Sequence, residues 1–314
     1  MGLEESMIQK SVIQELAGIV GSEKLRLEES MAKHTTFRIG GPAEYYIEVS
    51  EEEELKQLLA WCSENDFPYF ILGNGSNLLV SDKGWQGLMI SMKGFDEIRF
   101  QENEDASGRI VVTAGSGVLL SKLATQVAAR GLDGFAFAAG IPGTLGGAVT
   151  MNAGAYGGEI KDVILHAKVM LPDGRIQTLS AEELKLSYRH SIIQEEDMIV
   201  LEATFAFAPG DAEGIQAYIR ELNEKRREKQ PLEYGSAGST FKRPEGYFAG
   251  KLVQDAGLRG YRVGDVMVSE KHCGFVVNVG QGTCEQAMKV IGHVQEQVKR
   301  QFGVELELEV KRLG

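Results

Sequence analysis

The stretch GIPGTLGGAVTMNAGAYGG, residues 140–158, is the part of the sequence that decides how this chain folds. Seven of its nineteen residues are glycine, and none is charged. Glycine gives up more backbone entropy than any other residue when it becomes ordered, so a dense run of it needs a physical reason. Apolar residues such as Ile141, Leu145 and Val149 distinguish the run from a flexible glycine-serine linker. We therefore expect its backbone to lie against a flat or polyanionic ligand, with peptide N–H groups directed at that ligand.

A second glycine loop, GNGSN at 73–77, follows the apolar segment 69–72. Asn74, Ser76 and Asn77 add side-chain donors to the glycine backbone, which suits a pyrophosphate group; a tight polar turn is the alternative interpretation. The loop lacks the third glycine of GxGxxG, and the chain contains no GxxxxGK[ST]. Two glycine-lined walls thus predict a large nucleotide cofactor that is bound neither as in a Rossmann fold nor in a P-loop.

Composition narrows the class of protein. A chain of 314 residues with 43% hydrophobic and 25% charged residues is typical of a globular protein of about two domains. Its net charge of −12 argues against nucleic acid or an anionic membrane as a partner. Neither a signal peptide nor a membrane span is expected. The cysteines, Cys62, Cys273 and Cys284, have no metal-binding spacing, so we expect free thiols, no metal and a cytoplasmic location.

Hydrophobic periodicity predicts a mixture of helices and strands. Helices are expected at 51–64, at about 119–130, from 215 to Pro231 and from Thr283 to Gly303, with a further short helix capped by Ser180 and Glu183. Capping boxes are expected for two of them, formed by Ser50 and Glu53 before the helix at 51–64 and by Thr283 and Gln286 at the start of the last helix. Strands are expected at 45–49, 69–72, 87–92, 109–114, on both sides of the turn at 171–174, at 198–207 and at 304–310. In 198–207 the residues Ile199, Leu201, Ala203, Phe205 and Phe207 should share one face, and in 304–310 the glutamates should lie opposite the apolar residues. The fold class is therefore α/β or α+β.

Three further segments carry candidates for chemistry: SYRHS at 187–191, GSTFK at 238–242 and ELEV at 307–310. Taken singly, each has a plainer interpretation. Arg189 could form a surface ion pair, Ser239 could stabilise a turn, and Glu309 could be a solvated residue on a strand. The basic run at 225–229 could likewise be a solvated helix end.

Taken together and in order, these segments resemble the UDP-N-acetylenolpyruvoylglucosamine reductase family, flavoenzymes of bacterial cell-wall precursor synthesis. The segments are HTTFRIGGPA (34–43), GNGSNLLV (73–80), AGIPGTLGGAVTMNAGAYGGE (139–159), SYRHS (187–191), GSTFKRP (238–244) and ELEVKRLG (307–314). The resemblance implies an FAD-binding fold of the vanillyl-alcohol-oxidase type over 1–208, with subdomains at about 20–83 and 84–208. It also implies a C-terminal α+β substrate domain at 209–314, of the family's shorter group without an extra insertion.

By the same resemblance, NADPH reduces FAD, and the enolpyruvyl group of a UDP-sugar is then reduced. Arg189 and Glu309 would stabilise negative charge on the substrate, and Ser239 would donate a proton, activated by Lys242 or a water. The implied cofactor residues are Arg38, Gly73, Asn74, Gly75, Ser76, Asn77, Gly140, Pro142, Gly143, Thr144, Gly147, Ala148, Asn152 and Gly154. The implied substrate residues are Tyr156, Tyr188, Lys229, Lys242, Arg243 and His272.

Some features qualify this resemblance. Arg243 stands where other members carry asparagine, and GNGSN has no histidine to tether the flavin, so FAD should be bound non-covalently. The substrate is expected to be the small molecule UDP-N-acetylglucosamine enolpyruvate, and the protein a monomer. The alternatives are an FAD oxidase of the same fold acting on a sugar or lactone, and a catalytically inactive nucleotide-binding protein.

Overall fold

The computed structural model describes residues 3–101 and 108–314. The α-helices are α1 (Leu3–Val20), α2 (Glu52–Glu64), α3 (Leu120–Ala129), α4 (Leu145–Thr150), α5 (Ile192–Glu195), α6 (Ala212–Lys229), α7 (Ala249–Asp255) and α8 (Cys284–Phe302). The strands are β1 (Leu25–Ser30), β2 (Pro42–Glu48), β3 (Tyr69–Leu72), β4 (Leu78–Val80), β5 (Trp85–Ser91), β6 (Ile98–Phe100), β7 (Ile110–Gly115), β8 (Leu132–Asp133), β9 (Gly154–Ala155), β10 (Gly158–Glu159), β11 (Ile164–Met170), β12 (Ile176–Ser180), β13 (Ile199–Pro209), β14 (Gly235–Ser236), β15 (Arg262–Val263), β16 (Val266–Val268), β17 (Val276–Asn278) and β18 (Lys311–Leu313). Short 3₁₀ turns occur at Met31–Lys33, Ala136–Gly140 and Ile160–Asp162.

The strands form several small sheets. One has the order β1-β2-β5-β3, and β3 pairs with β5 in parallel. A larger sheet has the order β12-β11-β13-β7-β6, with β8 also pairing with β13. A third has the order β14-β17-β16-β15, and the C-terminal β18 pairs in parallel with β4. The predicted mixture of helices and sheets is confirmed.

The chain divides into two compact units. The first unit contains the chain up to Leu27, Tyr45–Asn74 and Gly87–Asn223, and the second contains Glu28–Glu44, Gly75–Gln86 and Glu224–Gly314. These units differ from the predicted domains because two N-terminal segments belong to the second unit. The predicted domains were defined by ligand, with FAD bound by 1–208 and substrate by 209–314, and that division stays a prediction.

Each unit has its own hydrophobic core. In the first unit, one core lies around α3, α4 and β13, and another packs α1 and α2 against β2 and β5. In the second unit, α8 packs its buried stripe of Ala287, Val290, Ile291, Val294 and Val298 onto the sheet that contains β16 and β17. The capping box of Thr283 and Gln286 and the left-handed Gly303, which delimit α8, are both confirmed.

The predicted helix at 51–64 is present, but its predicted capping box is not formed. The N-cap residue of α2 is Glu51 rather than Ser50, and the backbone N–H of Ser50 donates to Glu54 rather than to Glu53 (3.2 Å). The Glu54 carboxylate also pairs with Lys24, whereas Glu53 accepts a hydrogen bond from Gln57. The ion pair with Lys24 favours the neighbouring carboxylate for this role.

The predicted short helix after Ser180 is a turn. The capping hydrogen bonds do form, since the Ser180 N–H donates to Glu183 Oε2 (2.8 Å) and the Glu183 N–H donates to Ser180 Oγ (3.3 Å). Residues 181–185 nevertheless do not continue as a helix. Lys185 has a left-handed backbone with φ of 48°, which stops helical propagation.

Strand β13 does not place all its alternate residues on one face, as the sequence predicted. Its pairing with β11 shifts between Lys168↔Glu202 and Val169↔Val200, so one extra residue is accommodated on β13. Ile199 and Leu201 therefore join the core around α2, whereas Ala203, Phe205 and Phe207 join the core around α3. A β-bulge reverses the inside–outside alternation of a strand in this way.

The predicted strand at 304–310 pairs only at the bridge between Phe241 and Leu308, and the regular strand begins at Lys311. The expected alternation survives, because Leu306 and Val310 are buried while Glu305 and Glu307 are exposed. The ladder begins late because its partner β4 offers only Leu78–Val80.

Candidate active site

The structure brings together the end of β3 and the glycine-rich stretch within the first unit. A Cβ added to Gly73 would lie 2.4 Å from Thr144 Oγ1, so only glycine allows this approach. The Asn74 side-chain NH₂ donates a hydrogen bond to the carbonyl oxygen of Pro142 (2.6 Å). Parts of the two glycine walls expected from the sequence are therefore neighbours.

Helix α4 presents glycine on its outer side. Leu145, Ala148 and Val149 are buried in the core, and Gly147 is exposed. A Cβ added to Gly147 would meet no atom within 4 Å. The wall at this point is thus uncharged backbone, which fits a flat cofactor such as a flavin. Ala148 can contribute to such a site only through its backbone, because its methyl group lies in the core.

The rest of this stretch packs closely against neighbouring backbone and against itself. Gly143 accepts a hydrogen bond from the Leu120 N–H (3.0 Å), and Gly140 ends a 3₁₀ turn. In the hairpin of β9 and β10, a Cβ on Gly154 would lie 2.7 Å from Glu159 Cγ. Glycine is needed at 73 and 154 for close backbone packing, while at 147 the protein leaves the space open.

Asn152, predicted as a cofactor residue, has its side chain fully engaged by the protein. It is 1% exposed, and its NH₂ group donates to Glu159 Oε2 (2.8 Å) and to the Ser187 carbonyl (3.1 Å). Its Oδ1 accepts from the Lys161 N–H (3.0 Å). These bonds connect the hairpin at 154–159 to the turn that carries Arg189.

Arg189 lies in a tight turn of the first unit, flanked by exposed Tyr188. Its guanidinium carbon is 5.2 Å from the centre of the Tyr188 ring, a cation–π contact. Tyr156, at the tip of the β9–β10 hairpin, is also exposed. Both Arg189 and Tyr156 have left-handed backbones, with φ of 55° and 53°. Strained residues of this kind are concentrated at functional sites.

Within the second unit, Gly75, Ser76 and Asn77 form the remainder of the GNGSN loop. Gly75 has φ of 60°, and an added Cβ would lie 2.1 Å from the His34 carbonyl oxygen. The Asn77 side chain donates to the Glu309 carbonyl oxygen (3.0 Å). Arg38, also left-handed with φ of 56°, has its carbonyl bonded by Asn278 (3.3 Å). The loop is therefore attached to the segment that carries Glu309.

Ser239 and Glu309 come from neighbouring segments of the second unit. Ser239 is exposed and precedes the buried Thr240, whose carbonyl accepts the Glu309 N–H (3.0 Å). Thr240 Oγ1 also accepts from the Val276 N–H (2.9 Å), which fixes this segment to β17. The arrangement holds a hydroxyl and a carboxyl residue on adjacent backbones.

The predicted substrate residues of the second unit have varied surroundings. Lys242 is paired with Glu307 (3.2 Å), and the Arg243 guanidinium lies 4.1 Å above the ring of Phe248, which is 63% exposed. His272 is half-buried, and this burial lowers its pKa; its Nδ1 accepts from the Gly274 N–H (3.1 Å). Lys229 is exposed at the end of α6.

A separate cavity of about 390 Å³ lies in the first unit, and its lining does not suit a pyrophosphate. It includes Glu51, Glu52, Glu53, Asp96 and Glu97. Carboxylates repel a polyanion, whereas the glycine-rich stretch is uncharged. The glycine-rich stretch is thus the better candidate for nucleotide binding. Among the described residues, no group of His, Cys, Asp and Glu is suited to hold a metal, and no helix is long and apolar enough to cross a bilayer.

Comparisons with known proteins agree with these observations. The C-terminal domain of UDP-N-acetylenolpyruvoylglucosamine reductase matches residues 230–313, and an FAD binding domain matches residues 43–180. The UDP-N-acetylenolpyruvoylglucosamine reductase of Lachnoclostridium phytofermentans is 51% identical over 96% of this chain and 97% of that protein. That of Agathobacter rectalis is 54% identical over 91% of this chain and 93% of that protein. The crystal structure of the Thermus caldophilus reductase is 35% identical, with a TM-score of 0.76 over 92% of this chain and 98% of that one.

The chain belongs to the UDP-N-acetylenolpyruvoylglucosamine reductase family. It is accordingly an FAD-dependent oxidoreductase, as the sequence predicted. The FAD-domain match covers the glycine-rich stretch, and the match to the reductase C-terminal domain covers Ser239 and Glu309. Arg189 lies between the two matched regions, so the prediction that it acts on the substrate rests on the SYRHS segment alone.

Sequence reasoning missed the residues that hold the Arg189 turn. Glu159 and Gln194 were not singled out, although both contact backbone or side chains next to that turn. A hydrogen-bonding role for Glu159 has no signature in the sequence, since it depends on a hairpin placing it beside Asn152. The N-terminal helix α1 was also not predicted, because its charged and apolar residues show no clear stripe.

Proposed function

We propose that this protein reduces the enolpyruvyl group of UDP-N-acetylglucosamine enolpyruvate with NADPH, through non-covalently bound FAD, to give UDP-N-acetylmuramate. The observation that carries the proposal is the near full-length relationship to the reductases, with 51% identity over 96% of the chain. Arg189, Ser239 and Glu309 each stand in the motif through which the chain resembles that family.

The cofactor would be held by the glycine-rich segments described above. The uncharged outer side of α4 at Gly147 would face the flavin, and the GNGSN loop would hold the pyrophosphate through backbone N–H groups and short polar side chains. When bound, FAD supplies the transfer of hydride from NADPH to C3 of the enolpyruvyl group. The absence of histidine from GNGSN supports non-covalent binding.

Arg189 would bind the substrate carboxylate and stabilise the negative charge that develops there as hydride arrives. A guanidinium forms two parallel hydrogen bonds with a carboxylate, so it both orients the group and offsets its charge. Glu309, in its protonated form, would donate a hydrogen bond to the same developing enolate. Stabilisation of charge that appears only in the transition state accelerates the reaction.

Ser239 would complete the reaction by giving its hydroxyl proton to C2. Support comes from its exposure and from the pairing of its neighbour Thr240 with Glu309. Tyr156, Tyr188, Lys229, Lys242, Arg243 and His272 would bind the remainder of the substrate. The basic residues among them suit a diphosphate, and the tyrosines suit a flat or sugar-like surface.

An anaerobic titration tests the function. NADPH should bleach the flavin absorbance, and UDP-N-acetylglucosamine enolpyruvate should restore it with formation of UDP-N-acetylmuramate. In a parallel sample exposed to air, rapid reoxidation by O₂ alone, without response to the enolpyruvyl substrate, would indicate a flavin oxidase. A colourless protein that binds no FAD would indicate an inactive nucleotide-binding protein.

The role of Ser239 is tested by separating the two half-reactions. Ser239→Ala should bleach with NADPH at a near-normal rate, because flavin reduction needs no proton donor at the substrate. Its reoxidation by substrate should be slower by roughly 10²–10⁴, the typical contribution of general acid catalysis. Ser121→Ala, at an exposed position on α3, is the matched control. Normal reoxidation in Ser239→Ala would show that the serine only stabilises a turn.

Three finer expectations are proposed with this function. Acid precipitation should release all flavin into the supernatant, and colour in the washed pellet would contradict non-covalent binding. We expect a monomer, which light scattering after size-exclusion chromatography tests. We also expect a cytoplasmic location, supported by buried free cysteines that suit a reducing compartment, and cell fractionation tests it.

A further inference from the structure

The turn that carries Arg189 has a backbone conformation that needs external support. Ser187 and His190 form a reciprocal pair of backbone hydrogen bonds of 3.1 and 3.2 Å, with Tyr188 and Arg189 between them. Arg189 has φ of 55°, in the left-handed region that residues with a Cβ adopt only at a cost in free energy. Such a conformation persists when surrounding groups determine it.

Two amide side chains, one buried and one half-buried, supply that support through carbonyl groups of the turn. The Asn152 NH₂ group donates to the Ser187 carbonyl (3.1 Å), and the Gln194 NH₂ group donates to the Arg189 carbonyl (3.2 Å). Gln194 also donates to the Thr150 carbonyl (2.7 Å), which likewise accepts from the Ser191 hydroxyl. The carbonyl groups of Ser187 and Arg189 are therefore connected, through Asn152 and Gln194, to the last residue of α4 and the segment that follows it.

Asn152 is itself held in one orientation. Its Oδ1 accepts a hydrogen bond from the Lys161 N–H (3.0 Å). Besides its bond to Ser187, its NH₂ group donates to Glu159 Oε2 (2.8 Å). Lys161 Nζ lies 2.8 Å from the same carboxylate. The hydrogen bond from Lys161 is the largest cause that lowers the pKa of Glu159, and the positive charge of Arg189 contributes in the same direction. The anionic carboxylate thus acts on the Arg189 guanidinium while holding Asn152.

We propose that Asn152 is a positioning residue that, together with Glu159 and Gln194, fixes the Arg189 turn so that the guanidinium meets the substrate carboxylate in one orientation. The inference rests on the proposed function, in which Arg189 stabilises charge on that carboxylate. It gives the Asn152 side chain a role other than the cofactor binding that was expected of this residue. Both of its N–H donors and its Oδ1 already form hydrogen bonds within the protein, to Glu159, Ser187 and Lys161.

The test compares variants that keep side-chain shape but remove the amide donors. Asn152→Asp places an oxygen next to the Ser187 carbonyl oxygen. Gln194→Glu likewise places an oxygen next to the carbonyl oxygens of Thr150 and Arg189. Gln301→Glu is the matched control, because Gln301 donates to the Ala256 carbonyl in the other unit (3.3 Å). FAD content and NADPH-driven bleaching should stay within about twofold of the unmodified protein. Substrate-driven reoxidation should slow by roughly 10- to 100-fold in both network variants, since small misplacement of a reacting group has effects of this size.

A double-mutant comparison distinguishes positioning from a general structural role. If Asn152 acts through Arg189, Asn152→Asp should slow reoxidation much less in an Arg189→Ala background than in the unmodified protein. Additive effects in the two backgrounds, loss of flavin, or normal reoxidation in both network variants would each overturn the inference. If Asn152→Asp does not fold, the same comparison is made with Gln194→Glu. Failure of the unmodified protein to reoxidise with the enolpyruvyl substrate would instead overturn the proposed function.

Discussion

At the scale of single residues, the glycines of the two walls have different reasons to be glycine. At Gly75 an added Cβ would lie 2.1 Å from the His34 carbonyl oxygen, whereas at Gly147 it would meet nothing within 4 Å. A larger side chain at 75 would therefore distort the loop itself, so loss of flavin in Gly75→Val would not separate folding from binding. At Gly147 a methyl group would not disturb the protein itself, so an effect of substitution on FAD binding there can be attributed to the ligand.

We expect Gly147→Ala to fold normally and to bind FAD more weakly. Within a helix, alanine is more favourable than glycine by about 1 kcal/mol, so the melting temperature of the apoprotein should not fall. The methyl group would occupy space next to the proposed flavin, and an FAD dissociation constant raised on the order of tenfold is expected. Gly292→Ala is the matched control, since Gly292 is exposed on α8 and its Cβ would also meet nothing within 4 Å. Equal FAD affinity in both variants would show that the flavin does not approach α4 at this position.

Arg189→Lys tests whether the planar guanidinium is required. A lysine keeps the positive charge but offers no bidentate fork, so it cannot reproduce the geometry that stabilises a developing dianion. We expect kcat to fall by roughly 10²–10³, the range for loss of one such contact, while flavin reduction by NADPH stays near normal. Steady-state kinetics with the enolpyruvyl substrate measure this. An effect confined to KM would assign Arg189 to substrate binding alone.

At the scale of secondary-structure elements, the GNGSN loop and the C-terminal segment are connected. Asn77 donates to the Glu309 carbonyl and accepts from the Lys311 N–H, both at 3.0 Å, and β4 then pairs with β18. Asn77→Asp leaves the Glu309 carbonyl without its donor, at a cost of about 1–2 kcal/mol. We expect amide exchange in 309–313 to accelerate by roughly 5- to 30-fold. Hydrogen-exchange mass spectrometry measures this.

The control for Asn77→Asp is Asn65→Asp, which makes the same chemical change elsewhere. Asn65 donates to the Trp61 carbonyl (2.8 Å) at the end of α2. This variant should leave exchange in 309–313 unaltered. If both variants accelerate exchange there equally, the Asn77 hydrogen bond does not secure the C-terminal segment.

The same connection shows how far the sequence predicted the elements. Local signals sufficed where an element is delimited by its own residues, as with the capping box and Gly303 of α8. They failed where residues distant in the sequence determine the local structure. Strand β18 begins late because β4 is short, Glu54 replaces Glu53 because Lys24 pairs with it, and the bulge in β13 arises in its pairing with β11. The glycine-rich segments predicted a nucleotide-binding wall because a dense, apolar run of glycine is costly to order unless backbone must approach another group closely. The support of Arg189 by Gln194 depends on tertiary placement and leaves no local pattern.

At the scale of the whole molecule, the three cysteines lie in two separate hydrophobic cores. Cys62 lies in the first-unit core around α2, whereas Cys273 and Cys284 lie together in the core of the second unit. All three are buried, and this burial raises the pKa of Cys62 to about 12 and also raises the pKa of Cys273 and of Cys284. Since the thiolate is the reactive form, the native protein should react with a thiol reagent only through opening of these cores.

We expect Cys273 and Cys284 to share one opening free energy in pulsed thiol labelling and Cys62 to show a different one. Truncating one core should then affect only its own cysteine. Leu59→Ala, in the core with Cys62, should cost about 2–5 kcal/mol and accelerate Cys62 labelling by roughly 30-fold or more. Leu252→Ala is the reciprocal variant, because Leu252 shares a core with Cys273 and Cys284. Mass spectrometry of labelled peptides resolves the three sites. Equal acceleration at all three by either variant would mean that the units open only together, and that the cores are not independent in stability although they are separate in packing.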